Sequence, residues 1–282
     1  MLEDDVCDRR DAINRSGEKE PHGVFASPID KLGRTAGMRQ VLIGTSGWTY
    51  PSWRGTFYPG DLPSARFLEF YRNRFPTVEV NYSFYHLPTA ATYEKWATQV
   101  PEGFVFAVKA SRLMTHTRRL QGVEEPWRIF LQHTQSLGSR LGPILFQFPA
   151  SFRCNEVRLD EFLKMARTVV PGVDRLRLVF EFRHASWFAD EIYRLLSDYG
   201  AALCIADSPQ YPRHEVTTTT FTYFRFHGRS QLFASNYTKA DLSKEAEKIK
   251  RYLYEGQDVY AYFNNDAKGY AVANARMLTT MI

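Results

Sequence analysis

At 282 residues, with 44% hydrophobic and 24% charged side chains, the chain has the length for one large α/β domain or two ordinary ones. No apolar run approaches the roughly 18 residues that span a bilayer, and the polar start MLEDDVCDRRDAINRSGEKE lacks a signal-peptide core, so no membrane partner is expected. Cys7, Cys154 and Cys204 are far apart with no CxxC, which argues against a disulfide framework or Cys-based zinc site and for a cytoplasmic location.

The net charge of +5 is unevenly placed. Residues 1–37 hold 6 Lys/Arg and 8 Asp/Glu of the chain's 36 and 31, leaving a basic body of 30 against 23. Such a body is compatible with an anionic ligand or a nucleic acid, or simply with a mixed solvated surface. Residues 1–37 show no hydrophobic periodicity and are rich in charge, Gly and Pro, so they are expected to be a disordered extension, with translation starting at Met38 and a folded domain over 38–282.

From Val41 onward, short β-branched and aromatic runs alternate with longer segments of helical spacing. Strands are predicted near 41–45, 77–82, 104–109, 143–148, 176–183, 201–207, 221–227 and 258–263. Helices are predicted near 64–75, 89–98, 125–140, 156–169, 187–199, 239–255 and 271–281, with Thr238 and Asp241 spaced as a capping box. This alternation predicts a single-domain (β/α)8 TIM barrel. One crossover breaks the pattern: SPQYPRHEVTTTT, between the sixth and seventh strands, reads as a loop. An open doubly wound sheet is the alternative, but no GxGxxG follows the first strand, and no other motif points to a cofactor.

The strands end in polar residues, and strand side chains alternate between faces. With the larger apolar residues turned toward the helices, Lys109, Glu181, Arg183, Arg225 and His227 point inside, and Glu79, Asn81, Gln147, Asp207 and Asn264 are placed with them. Glu79, Glu181 and Asp207 then balance Lys109, Arg183 and Arg225, near-neutrality that suits a partly desolvated pocket. A salt-bridge lattice filling the barrel is the plainer reading. Lys109 reads as a Schiff-base amine, an anion clamp or the ion-pair partner of Glu79 or Glu181. His227 reads as a general acid or base, or as an orienting group. Glu181 with Asp207 or Glu79 could form a hydrolytic carboxylate pair. A metal site from Glu79, Glu181, Asp207 and His227 lacks any HExxH or HxH support. By parity His184 faces away, while His86 and His116 reach toward the rim. Trp48, Tyr50, Trp53, Tyr58, Tyr82, Phe84, Tyr85 and Trp187 gather in the same loops, either to stack on a ligand or to pack the loops down.

The ordered motifs IGTSGWTYPSWRGTFYP, VEVNYSFYHLP, FAVKASRLMTH, LGPILFQFP, FEFRHASW, IADS, YFRFHGR and VYAYFNNDAKGYAVANA resemble those of the YecE-like family, also called domain of unknown function 72, across residues 40–282. Ser83 departs from the Thr common in similar sequences. The resemblance implies a TIM barrel and supplies no reaction. The residues themselves point to an enzyme, of hydrolase, lyase or isomerase type, acting by acid–base or electrostatic catalysis on a small anionic ligand such as a phosphorylated sugar or nucleotide fragment. Glu79, Glu181, Asp207 and His227 are the expected proton-transfer groups; Asn81, Lys109, Gln147, Arg183, Arg225 and Asn264 bind the ligand, with Trp48 and Trp187 at the rim. A nucleic-acid-binding or repair protein and a noncatalytic ligand sensor are the alternatives.

Overall fold

Eight apolar runs fold as parallel strands in the computed structural model, which describes residues 39–169 and 176–282. They are β1 (Val41–Thr45), β2 (Thr77–Val80), β3 (Val105–Lys109), β4 (Leu141–Gln147), β5 (Leu178–Glu181), β6 (Ala202–Asp207), β7 (Phe221–Phe226) and β8 (Asp258–Phe263). Hydrogen bonds run in the order β1-β8-β7-β6-β5-β4-β3-β2. A parallel bridge from Ser46 to Glu79 brings β2 back to β1, so the sheet closes as the TIM barrel expected from the sequence. The two strands approach closely there: a Cβ on Gly44 would lie 2.2 Å from the Thr77 carbonyl oxygen, so only glycine fits. The expected extension over 1–37 lies outside the described residues.

Helices cover the barrel: α1 (Phe67–Tyr71), α2 (Tyr82–Tyr85), α3 (Ala90–Thr98), α4 (Glu124–Thr134), α5 (Glu156–Ala166), α6 (Asp190–Asp198), α7 (Lys239–Tyr254) and α8 (Tyr270–Thr279). The predicted 64–75 segment shortens to a 3-10 turn plus α1, and the 125–140 segment finishes as a 3-10 stretch over Gln135–Arg140. Immediately after β2 lies α2, which the sequence pattern did not separate from the strand end. The reciprocal capping box of Thr238 and Asp241 starts α7. Between β6 and β7 no helix forms, as the prolines and threonines there imply; Thr218 ties this loop down by bonding Ala201 and Leu203. Among the described residues no helix is long and apolar enough to cross a membrane.

Strand parity sorts two apolar layers. Phe104, Phe106, Val108, Leu178, Phe180, Phe224 and Phe226 pack outward under the helices. Leu42, Ala107, Leu145, Val179, Cys204, Ala206, Tyr223, Tyr260 and Tyr262 fill the lumen. Small residues on β3 and β6 make room for the tyrosines of β7 and β8. Below these rings Arg177 binds Asp258 and covers the Phe221 and Tyr260 rings, which plugs the N-terminal end. The polar strand ends sit above them, at the opposite mouth.

Candidate functional site

Arg225, fully buried near the C-terminal end of β7, organises the C-terminal mouth. Its Nε and Nη2 donate to the two oxygens of Glu79 at 2.9 and 2.8 Å, and its Nη1 donates to Glu181 Oε2 at 2.5 Å. Glu79 also accepts from Ser46 Oγ at 2.6 Å and Tyr223 Oη at 2.7 Å. The other oxygen of Glu181 accepts from Arg183 Nε at 2.9 Å. Burial alone would raise both carboxyls, but Arg225 more than offsets it, holding Glu79 below and Glu181 well below the usual carboxylate range; Arg183 helps at Glu181. Both are ionised at neutral pH.

His227 is fully buried beside this group, its Nε2 3.4 Å from Glu181 Oε1 and its Nδ1 3.2 Å from Asn264 Nδ2. Burial lowers its pKa against the pull of Glu181, so the ring is neutral at pH 7, with Nδ1 accepting from Asn264 and Nε2 near Glu181 but making no hydrogen bond among the described residues. Gln147 pairs with Glu181 in the β4–β5 register and donates to the Phe148 carbonyl at 2.6 Å. Asn81, just after β2, presents a buried Oδ1 with no hydrogen-bond partner among the described residues.

The two remaining cations stand differently. Arg183 stacks over the Tyr211 ring at 4.3 Å and spends only Nε on Glu181; its terminal nitrogens make no hydrogen bond among the described residues. Lys109, half-buried at the end of β3, rests its ammonium 4.2 Å over the Phe84 ring. Among the described residues no carboxylate lies within ion-pair distance of its Nζ, because Glu79 and Glu181 are occupied by the arginines. Burial, then the neighbouring Arg225, pushes its pKa down to about 7. His116 lies beyond, edge-on to Phe84, pushed down to about 4 by burial and then by Lys109.

Lys109 makes a stability prediction. An unfolded lysine binds its proton up to about pH 10.4, while the folded one releases it near 7, so the native state is penalised at low pH and relieved as pH rises between these values. Lys109→Met should therefore stabilise the fold by on the order of 1 kcal/mol or more below pH 7, with the gain fading above pH ~10. Urea denaturation at pH 6 and at pH 10 reads it, and an equal effect at both would contradict the depressed lysine.

Two expected site residues are placed elsewhere. Asp207 does not point into the barrel. In β6 the large Leu203 and Ile205 face the helices and the small Ala202, Cys204 and Ala206 face inward, so alternation turns Asp207 outward with Leu203 and Ile205. There it accepts from Arg213 Nη1 at 2.8 Å and Tyr237 Oη at 2.7 Å, within a network that includes Glu245 and Glu215. The inner set is therefore three cations to two carboxylates, and not the expected balance. Trp187 is also outside the mouth: it is fully buried, stacks on Phe182 at 4.2 Å and donates its indole N–H to the Phe152 carbonyl. His184 caps the 3-10 turn over Ala185–Trp187, as its outward parity implies. Among the described residues no group of three His, Cys, Asp or Glu side chains could hold a metal ion.

Trp48 does border the site. With Tyr50, Asn81, Tyr82, Tyr85 and Trp96 it lines a pocket of ≈ 580 Å³ on the β1–β2 side of the mouth. Phe84, under Lys109, stands 4.9 Å from Tyr85 and links pocket and amine. Tyr211 was not legible in advance. It lies in the helix-free crossover, where no periodicity shows which side chain turns back over the barrel.

The family model described as "Protein of unknown function DUF72" matches residues 42–282. The UPF0759 protein YunF of Bacillus subtilis (strain 168) is 30% identical over 276 residues, 86% of this chain and 94% of that protein. A DUF72 family protein from Thermotoga maritima superposes with a TM-score of 0.77 at 30% identity, covering 86% of this chain and 99% of that one. A DUF72 family protein from Enterococcus faecalis shares the fold at TM-score 0.72 and 22% identity, covering 86% and 95%. With matching motifs, barrel and family model together, the chain belongs to the DUF72 family.

Proposed function

We propose that the protein is an enzyme whose barrel mouth binds a small anionic ligand between Arg183 and Lys109. One observation carries this reading: both inner carboxylates are consumed by Arg225 and Arg183 Nε, so the outer guanidinium edge of Arg183 and the Lys109 ammonium remain without anionic partners among the described residues. A guanidinium edge beside an amine suits a phosphate or carboxylate. Arg225, expected to clamp the ligand, is instead the scaffold that fixes the carboxylates. Glu79 and Glu181 supply fixed negative charge, and Lys109, titrating near neutrality, moves protons, with His227 orienting Glu181. The neighbouring aromatic pocket accepts a ring or chain attached to the anion. A cytoplasmic setting rests on the widely spaced cysteines.

Sulfate, whose charge is constant across this range, tests the site by calorimetric titration. Saturable binding should weaken about tenfold from pH 6 to pH 8.5 as Lys109 loses its proton, the worth of one charged hydrogen bond. Binding that never saturates would end the proposal. The exposed Tyr82 and Tyr85 at the pocket edge favour a nucleic acid as the second reading. In that case affinity for a single-stranded oligonucleotide falls steeply with salt while sulfate merely screens.

A further inference from the structure

We infer that Lys109 is a nucleophile: its Nζ condenses with the carbonyl of a small aldehyde or ketone whose anionic group docks on Arg183. The inference rests on the anion-site reading above and names its substrate class.

An ion-paired lysine is held protonated and reacts slowly with carbonyls, which was the plainer expectation for Lys109 beside Glu79 and Glu181. The structure removes that pairing. Ser46, Tyr223 and Arg225 saturate Glu79, and Arg225 with Arg183 occupies Glu181. Burial over the Phe84 ring, with Arg225 and Arg183 near, outweighs the opposing pull of Glu181 and Glu79, and such surroundings keep an amine in its neutral, nucleophilic form. The groups facing Lys109 are Arg225, Glu181, Glu79 and Arg183, with His116 behind Phe84. Its strand end is pinned: the Lys109 carbonyl accepts from Ser83 Oγ at 2.6 Å, and Ala110 N donates to the Leu145 carbonyl at 2.8 Å. The side chain therefore starts from a fixed point at the mouth, beside the pocket walled by Tyr85.

In the step, the Nζ lone pair attacks the carbonyl carbon and the C=O π pair moves to oxygen, which takes up a proton as nitrogen loses one. The hydroxyl then takes a second proton, from solvent, as the C–O bond breaks and water leaves, giving a protonated C=N bond. Amine, carbonyl and one proton yield the protonated imine plus one water, with no oxidant or reductant consumed. The imine is cationic and lies beside Glu181 and Glu79, which stabilise that charge.

The experiment uses the full chain at pH 7.5 with pyruvate or dihydroxyacetone phosphate in the presence of sodium cyanoborohydride, followed by peptide mass mapping. The two probes distinguish a carboxylate from a phosphate as the anion. The expected result is an adduct on Lys109, heavier by the probe less one oxygen. It should form at least ~10-fold faster than on exposed Lys164, because the ion pair with Asp160 raises that lysine's pKa and leaves it far less free amine at this pH. Excess sulfate should suppress it, and Arg183→Leu should slow it about tenfold or more. Labelling of Lys109 no faster than the exposed lysines overturns the inference. If sulfate still binds saturably in that case, the anion site stands without the imine; if it does not, both fall together.

Discussion

Replacing Arg225 with Met is expected to cost about 3–5 kcal/mol of stability, the penalty for breaking a buried ion pair from one side. Glu79 and Glu181 are fully buried and would lose their shared cation, leaving Ser46, Tyr223 and Arg183 as their remaining partners. The loss has a pH signature. In the native protein the depressed carboxylates contribute stability that is complete above their unfolded pKa near 4.3 and is lost as pH falls through the lower folded value. Without Arg225, the burial that opposes ionisation loses its largest counterweight at both carboxyls, so the variant loses less stability on acidification than the parent. The gap between the two proteins is therefore widest at neutral pH and narrows toward pH 4. Replacing all three residues, with Glu79→Gln and Glu181→Gln added to Arg225→Met, should recover about 2 kcal/mol or more, since neither carboxylate is then left buried without its central cation. Urea denaturation measures all of these; an Arg225→Met variant within ~1 kcal/mol of the parent would show that the triad does not hold the mouth together.

Arg183→Leu should weaken sulfate binding by about 10- to 100-fold, the worth of one or two charge-assisted hydrogen bonds. The fold should survive it. Arg183 sits at the edge of the network with its side chain 12% exposed, and Glu181 keeps Arg225 after the change. The leucine can still pack against Tyr211, so lost binding in a protein of unchanged thermal stability isolates the guanidinium edge. Unchanged binding would move the anion site away from the mouth. A collapse in stability would instead make Arg183 part of the barrel's structural lattice.

Much of this arrangement was legible in the chain because strands obey a two-residue period. That period carried Lys109, Glu181, Arg183, Arg225 and His227 to the inner face, where all five are found. Asp207 lies on the outer face because the alternation through Leu203 and Ile205 carries it there; a polar strand end alone does not mark the inner face. Trp187 could not be decided by period, since it follows the strand in a 3-10 turn whose direction is set by packing on Phe182 and Phe152. The crossover after β6 was readable as a loop from its prolines. Its folding path, which brings Tyr211 over Arg183 and Arg213 onto Asp207, was not.

By itself, the sequence determined the barrel, the mouth at the strand C-termini and the residue types gathered there, because hydrophobic period and helix–strand alternation are local properties. Only the tertiary structure decided which charges pair. Pairing depends on distances across the lumen, between strands far apart in the chain: Arg225 reaches Glu79 across 146 residues and Glu181 across 44. That choice gives both carboxylates to arginines and leaves Lys109 and the edge of Arg183 facing the mouth.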